Sequence, residues 1–121
     1  MNKEVSFELA KLLKEKGFDR PCCEFYYMEN NPNKLQESFN KNKKWDFNFE
    51  NEYQFPCKSI SAPTIAEVLM WLYEKHGIWI EVYYDNGKKE FYTVLNGEEY
   101  KYNLPTEAYK AAIDYCLTNL I

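Results

Sequence analysis

The chain has 121 residues, 45% of them hydrophobic and 28% charged, a composition typical of one globular domain with a single core. Its formal net charge of −4 argues against a nucleic-acid partner, because backbone phosphates repel an acidic surface. No run of apolar residues is long enough to span a membrane, and the N-terminus lacks the continuous apolar core of a signal peptide. We therefore predict a cytoplasmic protein.

The first predicted helix covers residues 3–16, where lysine and glutamate separate apolar residues at helical spacing: Val5, Leu9, Leu12 and Leu13. Gly17 provides a left-handed stop, and Phe18 is expected to fold back onto the last turn. Pro21 then returns the chain to extended backbone, and residues 24–28 form an aromatic-rich predicted strand.

Residues 30–44 are rich in asparagine and lysine, which favours a loop within the domain, or a short weak helix over residues 34–39. Residues 45–55 then alternate aromatic with polar side chains, which predicts a strand with one aromatic face. This face either packs in the core or lines a groove for a flat ligand. In the second interpretation the ligand-binding residues are Lys43, Lys44, Trp45, Phe47, Phe49 and Tyr53.

The second helix is predicted to open at Pro63-Thr64, with a capping box between Thr64 and Glu67, and to end at Gly77. Its predicted buried stripe consists of Ile65, Val68, Leu69 and Leu72. Trp71 and Tyr73 lie partly off that stripe, so we expect them to pack on a sheet edge or on another chain.

A three-strand antiparallel meander is predicted next, because Asn86-Gly87 and Asn96-Gly97 are both strong hairpin signals. The strands are expected over residues 78–84, 91–95 and 99–102, with a first loop longer than two residues. The last helix is expected to start near Pro105 and to bury Ala108, Ala112, Ile113, Cys116, Leu117 and Leu120.

These elements predict one α+β domain over residues 1–121. Three helices are expected to pack on an antiparallel sheet of about four to six strands. The C-terminal half then reads as helix, three-strand meander, helix.

Three stretches of the chain resemble a group of small uncharacterised proteins encoded by phages and mobile elements of gut bacteria. They are MNKEVSFELAKLLKEKGFD at 1–19, APTIAEVLMWLYEKHGIWI at 62–80 and PTEAYKAAIDYCLTNLI at 105–121. They cover a little under half of the chain and consist of helical scaffold, so the resemblance implies no activity and no catalytic residue. It leads us to expect a serine before Pro105, where this chain has Leu104.

Little in the sequence indicates catalysis or metal binding. The single histidine, His76, sits where a cation favours a helix C-terminus. Glu50 with Glu52, and Glu98 with Glu99, are interpreted as solvated carboxylates. The four scattered cysteines are expected to be reduced thiols and do not form a zinc-ligand pattern: Cys22, Cys23, Cys57 and Cys116. We therefore predict no enzymatic activity, no metal site and no cofactor.

Two non-catalytic functions stay open. The first is protein–protein interaction with an unknown host or phage protein, or with a second copy of the chain. The chain is rich in aromatic residues, with eleven tyrosines. The residues predicted for this contact are Trp71, Tyr73, Trp79 and Tyr83. The second is sequestration of a small nucleotide-type ligand by the aromatic strand and its lysines, which is an analogy based on the resemblance to phage proteins.

Overall fold

The computed structural model describes residues 4–27, 35–37 and 59–121, which contain three helices and two three-stranded antiparallel sheets. The helices are α1 (Phe7–Glu15), α2 (Ile65–His76) and α3 (Pro105–Asn119). Sheet I consists of β1 (Glu24–Tyr27), β2 (Leu35–Glu37) and β3 (Ser59–Ser61), and sheet II of β4 (Tyr83–Asp85), β5 (Glu90–Leu95) and β6 (Glu98–Tyr102). The α+β class is confirmed, with two sheets where one sheet was predicted.

Helix α1 begins later than predicted, because Ser6 caps it by accepting a hydrogen bond from the Leu9 amide at 3.2 Å. Val5 precedes the helix, where its amide donates to the Pro63 carbonyl at 3.1 Å and its carbonyl accepts from the Tyr26 hydroxyl at 2.8 Å. The predicted stop is confirmed: Gly17 has a φ of +87°, and the Phe18 amide donates back to the Leu13 carbonyl.

Sheet I has the order β2-β1-β3, so β1 is its central strand. In the β1–β2 pair, Phe25 lies opposite Gln36 and Tyr26 opposite Leu35. The prediction of a loop or weak helix is therefore wrong at residues 35–37, because backbone pairing with β1 outweighs local preference. The predicted strand over residues 45–55 lies outside the described residues.

Helix α2 has the predicted capping box and C-terminal glycine. Thr64 Oγ1 accepts from the Glu67 amide at 3.2 Å, and Glu67 Oε1 accepts from the Thr64 amide at 2.9 Å. Gly77 follows the helix with a φ of +67°. These two local signals fix where α2 starts and where it ends.

Sheet II is the predicted meander, in the order β4-β5-β6. Asn96 and Gly97 both have positive φ, as a two-residue hairpin turn requires, and the first turn spans residues 86–89, longer than two residues as expected. The first strand starts at Tyr83 rather than at residue 78. The preceding backbone is bonded elsewhere: the Ile78 amide donates to the Leu72 carbonyl, and the Glu81 carbonyl accepts from Thr93 Oγ1.

Helix α3 links sheet II to the other two helices, because it contacts β5 and β6 as well as α1 and α2. Its buried residues join a core formed by the other helices and sheet I, which includes Leu9, Leu13, Ile60, Val68, Leu72, Ile113 and Leu117. Leu104 occupies its N-cap position without a side-chain hydrogen bond, as the departure from serine implies. Leu120, predicted to be buried, is exposed at the C-cap.

Candidate interaction surface

Three apolar side chains are exposed between the middle of α2 and the segment that follows it, and we call them the aromatic corner: Met70, Tyr73 and Trp79. Met70 and Tyr73 are three residues apart on the helix and therefore neighbours on its surface. The Tyr73 and Trp79 rings meet edge to face, with centroids 5.4 Å apart. The exposed fractions of the three residues are 48%, 53% and 60%. The largest aromatic residue of this group is thus also the most exposed one.

Charged side chains of both signs lie near the aromatic corner in the sequence, with Lys75 in the last turn of α2 among them. Arg20 Nη1 lies 3.4 Å from Glu74 Oε1, and Arg20 Nε lies 3.8 Å from Asp19 Oδ1. Glu81, two residues after Trp79, accepts a hydrogen bond from the Tyr83 hydroxyl. We call four of these groups the acidic rim: the carboxylates of Asp19, Glu74 and Glu81, and the Arg20 guanidinium, which lies against the first two.

Trp71 is not part of any exposed surface, so its assignment to the interface is wrong. The residue is fully buried, with its ring edge to face against Phe18 at 5.3 Å and against His76 at 4.9 Å. It lies three residues after Val68 and therefore beside it on the helix surface. The buried stripe of α2 is thus wider than predicted and extends to Phe18, which follows α1. Its indole Nε1 is buried and has no hydrogen-bond partner in the described part of the chain.

Tyr83, predicted for the interface, is exposed, but it lies on the outer face of sheet II rather than in the aromatic corner. It stands opposite Tyr92 in the β4–β5 register, and the two rings stack with centroids 5.2 Å apart. The hydrogen bond to the Glu81 carboxylate raises the pKa of Tyr83. Along the chain, Glu81 thus lies between Trp79 and the stacked tyrosines.

Sequence reasoning missed two residues of these surfaces, Met70 and Tyr92. Met70 could have been found from its spacing of three residues from Tyr73 on a helix. Tyr92 could not have been found in this way. Its position opposite Tyr83 depends on the length of the β4–β5 turn, which the Asn86-Gly87 signal does not determine.

A cleft and a groove lie elsewhere on the surface of the described residues. A cleft of about 410 Å³ lies on sheet II, under the β4–β5 turn. An apolar groove of about 500 Å³ lies between the first turns of α2 and α3, lined by Thr64, Ile65, Ala66, Leu69, Pro105, Thr106 and Tyr109. The predicted ligand-binding residues Lys43, Lys44, Trp45, Phe47, Phe49 and Tyr53 lie outside the described residues, so that site stays a prediction.

The candidate chemical groups do not assemble into a site in the described residues. Glu98 and Glu99 are adjacent on β6 and project to opposite faces of sheet II. His76 packs against Trp71, and its Nε2 is buried without a hydrogen-bond partner. Burial raises the pKa of the Cys22 thiol to about 11, although its hydrogen bonds to Ser61 and to the backbone act in the opposite direction. No group of three or more His, Cys, Asp or Glu side chains within residues 4–27, 35–37 and 59–121 is placed to hold a metal ion.

Comparison with known proteins gives no match: no family model, no curated protein and no solved structure is similar to this chain. The fold defines an α+β protein. Within the described residues, no helix has both the length and the apolar character needed to cross a membrane.

Proposed function

We propose that this chain is a non-catalytic accessory protein that binds another protein through the aromatic corner. One observation carries the proposal: Tyr73 and Trp79 contact each other and leave more than half of each residue exposed. Tryptophan and tyrosine are the side chains that most often dominate binding free energy at protein interfaces. Two of them held in a fixed mutual orientation lose little conformational entropy when a partner binds.

The exposed area of Tyr73 and Trp79 limits how much free energy this contact can contribute to binding. A tyrosine or tryptophan presents roughly 150–250 Å² when fully exposed, so the pair offers about 200–250 Å² here. Part of that area is polar, so burying it contributes at most about 5–6 kcal/mol before the costs of association. A standard interface covers about 800 Å² on each side, so the aromatic corner would form its centre and neighbouring surface would supply the remainder.

Charge favours a different protein over a second copy of this chain. The acidic rim carries three carboxylates and one guanidinium, the last turn of α2 adds the Lys75 ammonium, and the whole chain has a net charge of −4. Two copies meeting through this surface would bring like charges together, whereas a partner with lysines and arginines around an apolar centre would be attracted. The partner we propose is therefore a basic protein of the host cytoplasm, which also agrees with the phage origin that the sequence resemblance implies.

Site-specific photo-crosslinking tests this proposal. A photoreactive amino acid replaces Trp79 in one variant and Val94, an exposed residue of β5, in a control variant. A protein crosslinked from position 79 and not from position 94 is then purified and titrated with the unmodified chain. We expect Trp79→Ala to weaken binding by about 2 kcal/mol or more, which is roughly 30-fold, and Val94→Ala to have little effect. Added salt should also weaken binding, because the acidic rim contributes by charge.

Three results would contradict the proposal. Equal crosslinking from both positions would mean that the aromatic corner does not select a partner. Equal affinities of the Trp79→Ala and Val94→Ala variants would place the contact elsewhere. The third result is a native mass spectrum that shows a dimer which the Trp79→Ala substitution dissociates. It would mean that a second copy of the chain, rather than a basic protein, binds the aromatic corner.

A further inference from the structure

Strand β6 forms one edge of sheet II, and within the described residues it pairs only with β5. The two-residue turn makes Leu95 and Glu98 a hydrogen-bonded pair, and such pairs alternate with non-hydrogen-bonded pairs along an antiparallel ladder. Tyr100 therefore bonds to β5 through its backbone, whereas the amides and carbonyls of Glu99 and Lys101 point away from the sheet. An edge with such outward-pointing groups is a template for another strand.

The side chains of Glu99 and Lys101 restrict which strand can pair with this edge. Both are exposed, both project to the same face of sheet II, and in the described part of the chain neither forms an ion pair. Their opposite charges stand on either side of Tyr100, so the strand sequence EEYKY complements itself when two copies run antiparallel. This charge pattern fits a second copy of the chain.

We propose that two copies of this chain pair through β6 around a two-fold axis at Tyr100. Glu99 of one protomer then lies opposite Lys101 of its partner, and the symmetry forms this contact twice. Both contacts are hydrogen-bonded pairs, which use the backbone groups that point outward from β6. The inference goes beyond the proposed function, because it concerns a different surface and different residues.

Charge excludes the two neighbouring registers of this pairing. Outward-pointing residues must meet outward-pointing residues, so the register changes in steps of two. A step in one direction places Glu99 opposite Glu99, and a step in the other places Lys101 opposite Lys101. Like charges directly opposite each other are destabilising. Charged side chains often protect an edge strand from pairing, and here they oppose both neighbouring registers while favouring the one between them.

The face of sheet II that carries Tyr100 leaves room for the partner. Tyr100 lies opposite the buried Thr93, on the face that α3 covers, and is itself 42% exposed. Strands are about 4.8 Å apart, so the two copies of α3 would lie about 10–14 Å from each other, no closer than packed helices. The pairing covers five residues of each chain, which is less than a standard interface, so the dimer should be weak.

Sedimentation equilibrium of the full chain, from about 10 µM to about 1 mM in about 0.15 M salt, tests this inference. A dimer should form as the concentration rises, because the salt screens the net charge of −4 on each copy. Glu99→Lys and Lys101→Glu should each weaken the dimer about tenfold or more, because each places like charges opposite each other. An equimolar mixture of the two variants should restore association, since lysine then faces glutamate at both contacts.

Lys88→Glu is the matched control for Lys101→Glu, because it makes the same change in charge in the β4–β5 turn, away from the β6 edge. It should leave the dimer within about twofold. Net charge alone predicts tighter association for Glu99→Lys, which makes the chain less acidic, so a weaker dimer there reports the specific contact. Trp79→Ala should leave the dimer unchanged, which keeps this test separate from that of the proposed function.

Amide hydrogen exchange of the unmodified chain adds a test that requires no variant. Exchange at Glu99 and Lys101 should slow as the concentration rises, whereas the Tyr100 amide, already bonded to β5, should change little. Four results would overturn the inference. These are a monomer at about 1 mM, no association in the mixture of the two charge variants, equal weakening by Lys88→Glu and Lys101→Glu, and exchange at Glu99 and Lys101 that does not depend on concentration.

Discussion

Replacing Trp71 with alanine should remove a large part of the stability of this protein, whereas replacing Trp79 should remove very little. Trp71 is fully buried, with ring contacts to Phe18 and His76, while Trp79 is 60% exposed and contacts one ring, that of Tyr73. Both substitutions delete the same atoms, so the difference between them reports burial alone.

The expected losses in the free energy of unfolding follow from how each tryptophan is packed. A buried tryptophan replaced by alanine loses its transfer free energy and leaves a cavity, which together cost about 3–5 kcal/mol. Domains of this size have a total stability of about 5–15 kcal/mol. The Trp79 substitution loses one exposed ring contact and should cost about 0.5–1 kcal/mol. Trp71→Phe keeps an aromatic ring and also removes the unpaired Nε1 donor, so we expect about 1–2 kcal/mol there.

Urea unfolding followed by far-UV circular dichroism measures these differences. With a slope of about 1–3 kcal/mol per molar urea, the Trp71→Ala midpoint should fall by about 2 M. Trp71→Phe keeps the comparison informative if the alanine variant does not fold. Equal midpoints for the Trp71→Ala and Trp79→Ala variants would refute the assignment of Trp71 to the core.

Three further predictions concern the helix ends and one buried thiol. Leu104→Asp should stabilise the protein by about 1 kcal/mol, because α3 lacks a side-chain cap, whereas Thr64→Ala should destabilise it by a similar amount. The reverse order of thermal midpoints would contradict both cap assignments. Gly77→Ala should cost about 1 kcal/mol from backbone strain alone, because a Cβ there meets nothing within 4 Å, and a neutral result in urea unfolding would argue against the left-handed conformation. The free energy of unfolding should fall from about pH 9 to about pH 11, because the unfolded chain releases the Cys22 proton first. The fall should be smaller in Cys22→Ala, and an equal slope in that variant would contradict the burial of this thiol.

The parts of the fold that sequence reasoning predicted are those whose signals are local. The α2 boundaries depend on Thr64, Glu67 and Gly77, which lie within or beside the helix itself. The β5–β6 turn depends on Asn96 and Gly97, whose positive φ values are a local property of those residue types. Each such element needs no information from distant residues.

The parts that were missed depend on distant contacts. Leu35–Glu37 is a strand only because β1 pairs with it, and its own composition favours a loop. Trp71 is buried because Phe18 reaches it from the end of α1, a contact that the periodicity of α2 alone does not contain.

The hydrogen bond between Val5 and Pro63 has a consequence for how the chain folds as it is synthesised. Helix α1 leaves the ribosome early, but the backbone that holds its N-terminal end follows only after residue 63. Its core partners Ile113 and Leu117 belong to α3, which is made later still. Closing loops of this length delays folding, so the apolar side of α1 stays uncovered until α3 has been synthesised. During this interval the uncovered face of α1 is an exposed apolar surface of the kind that aggregates and that chaperones protect.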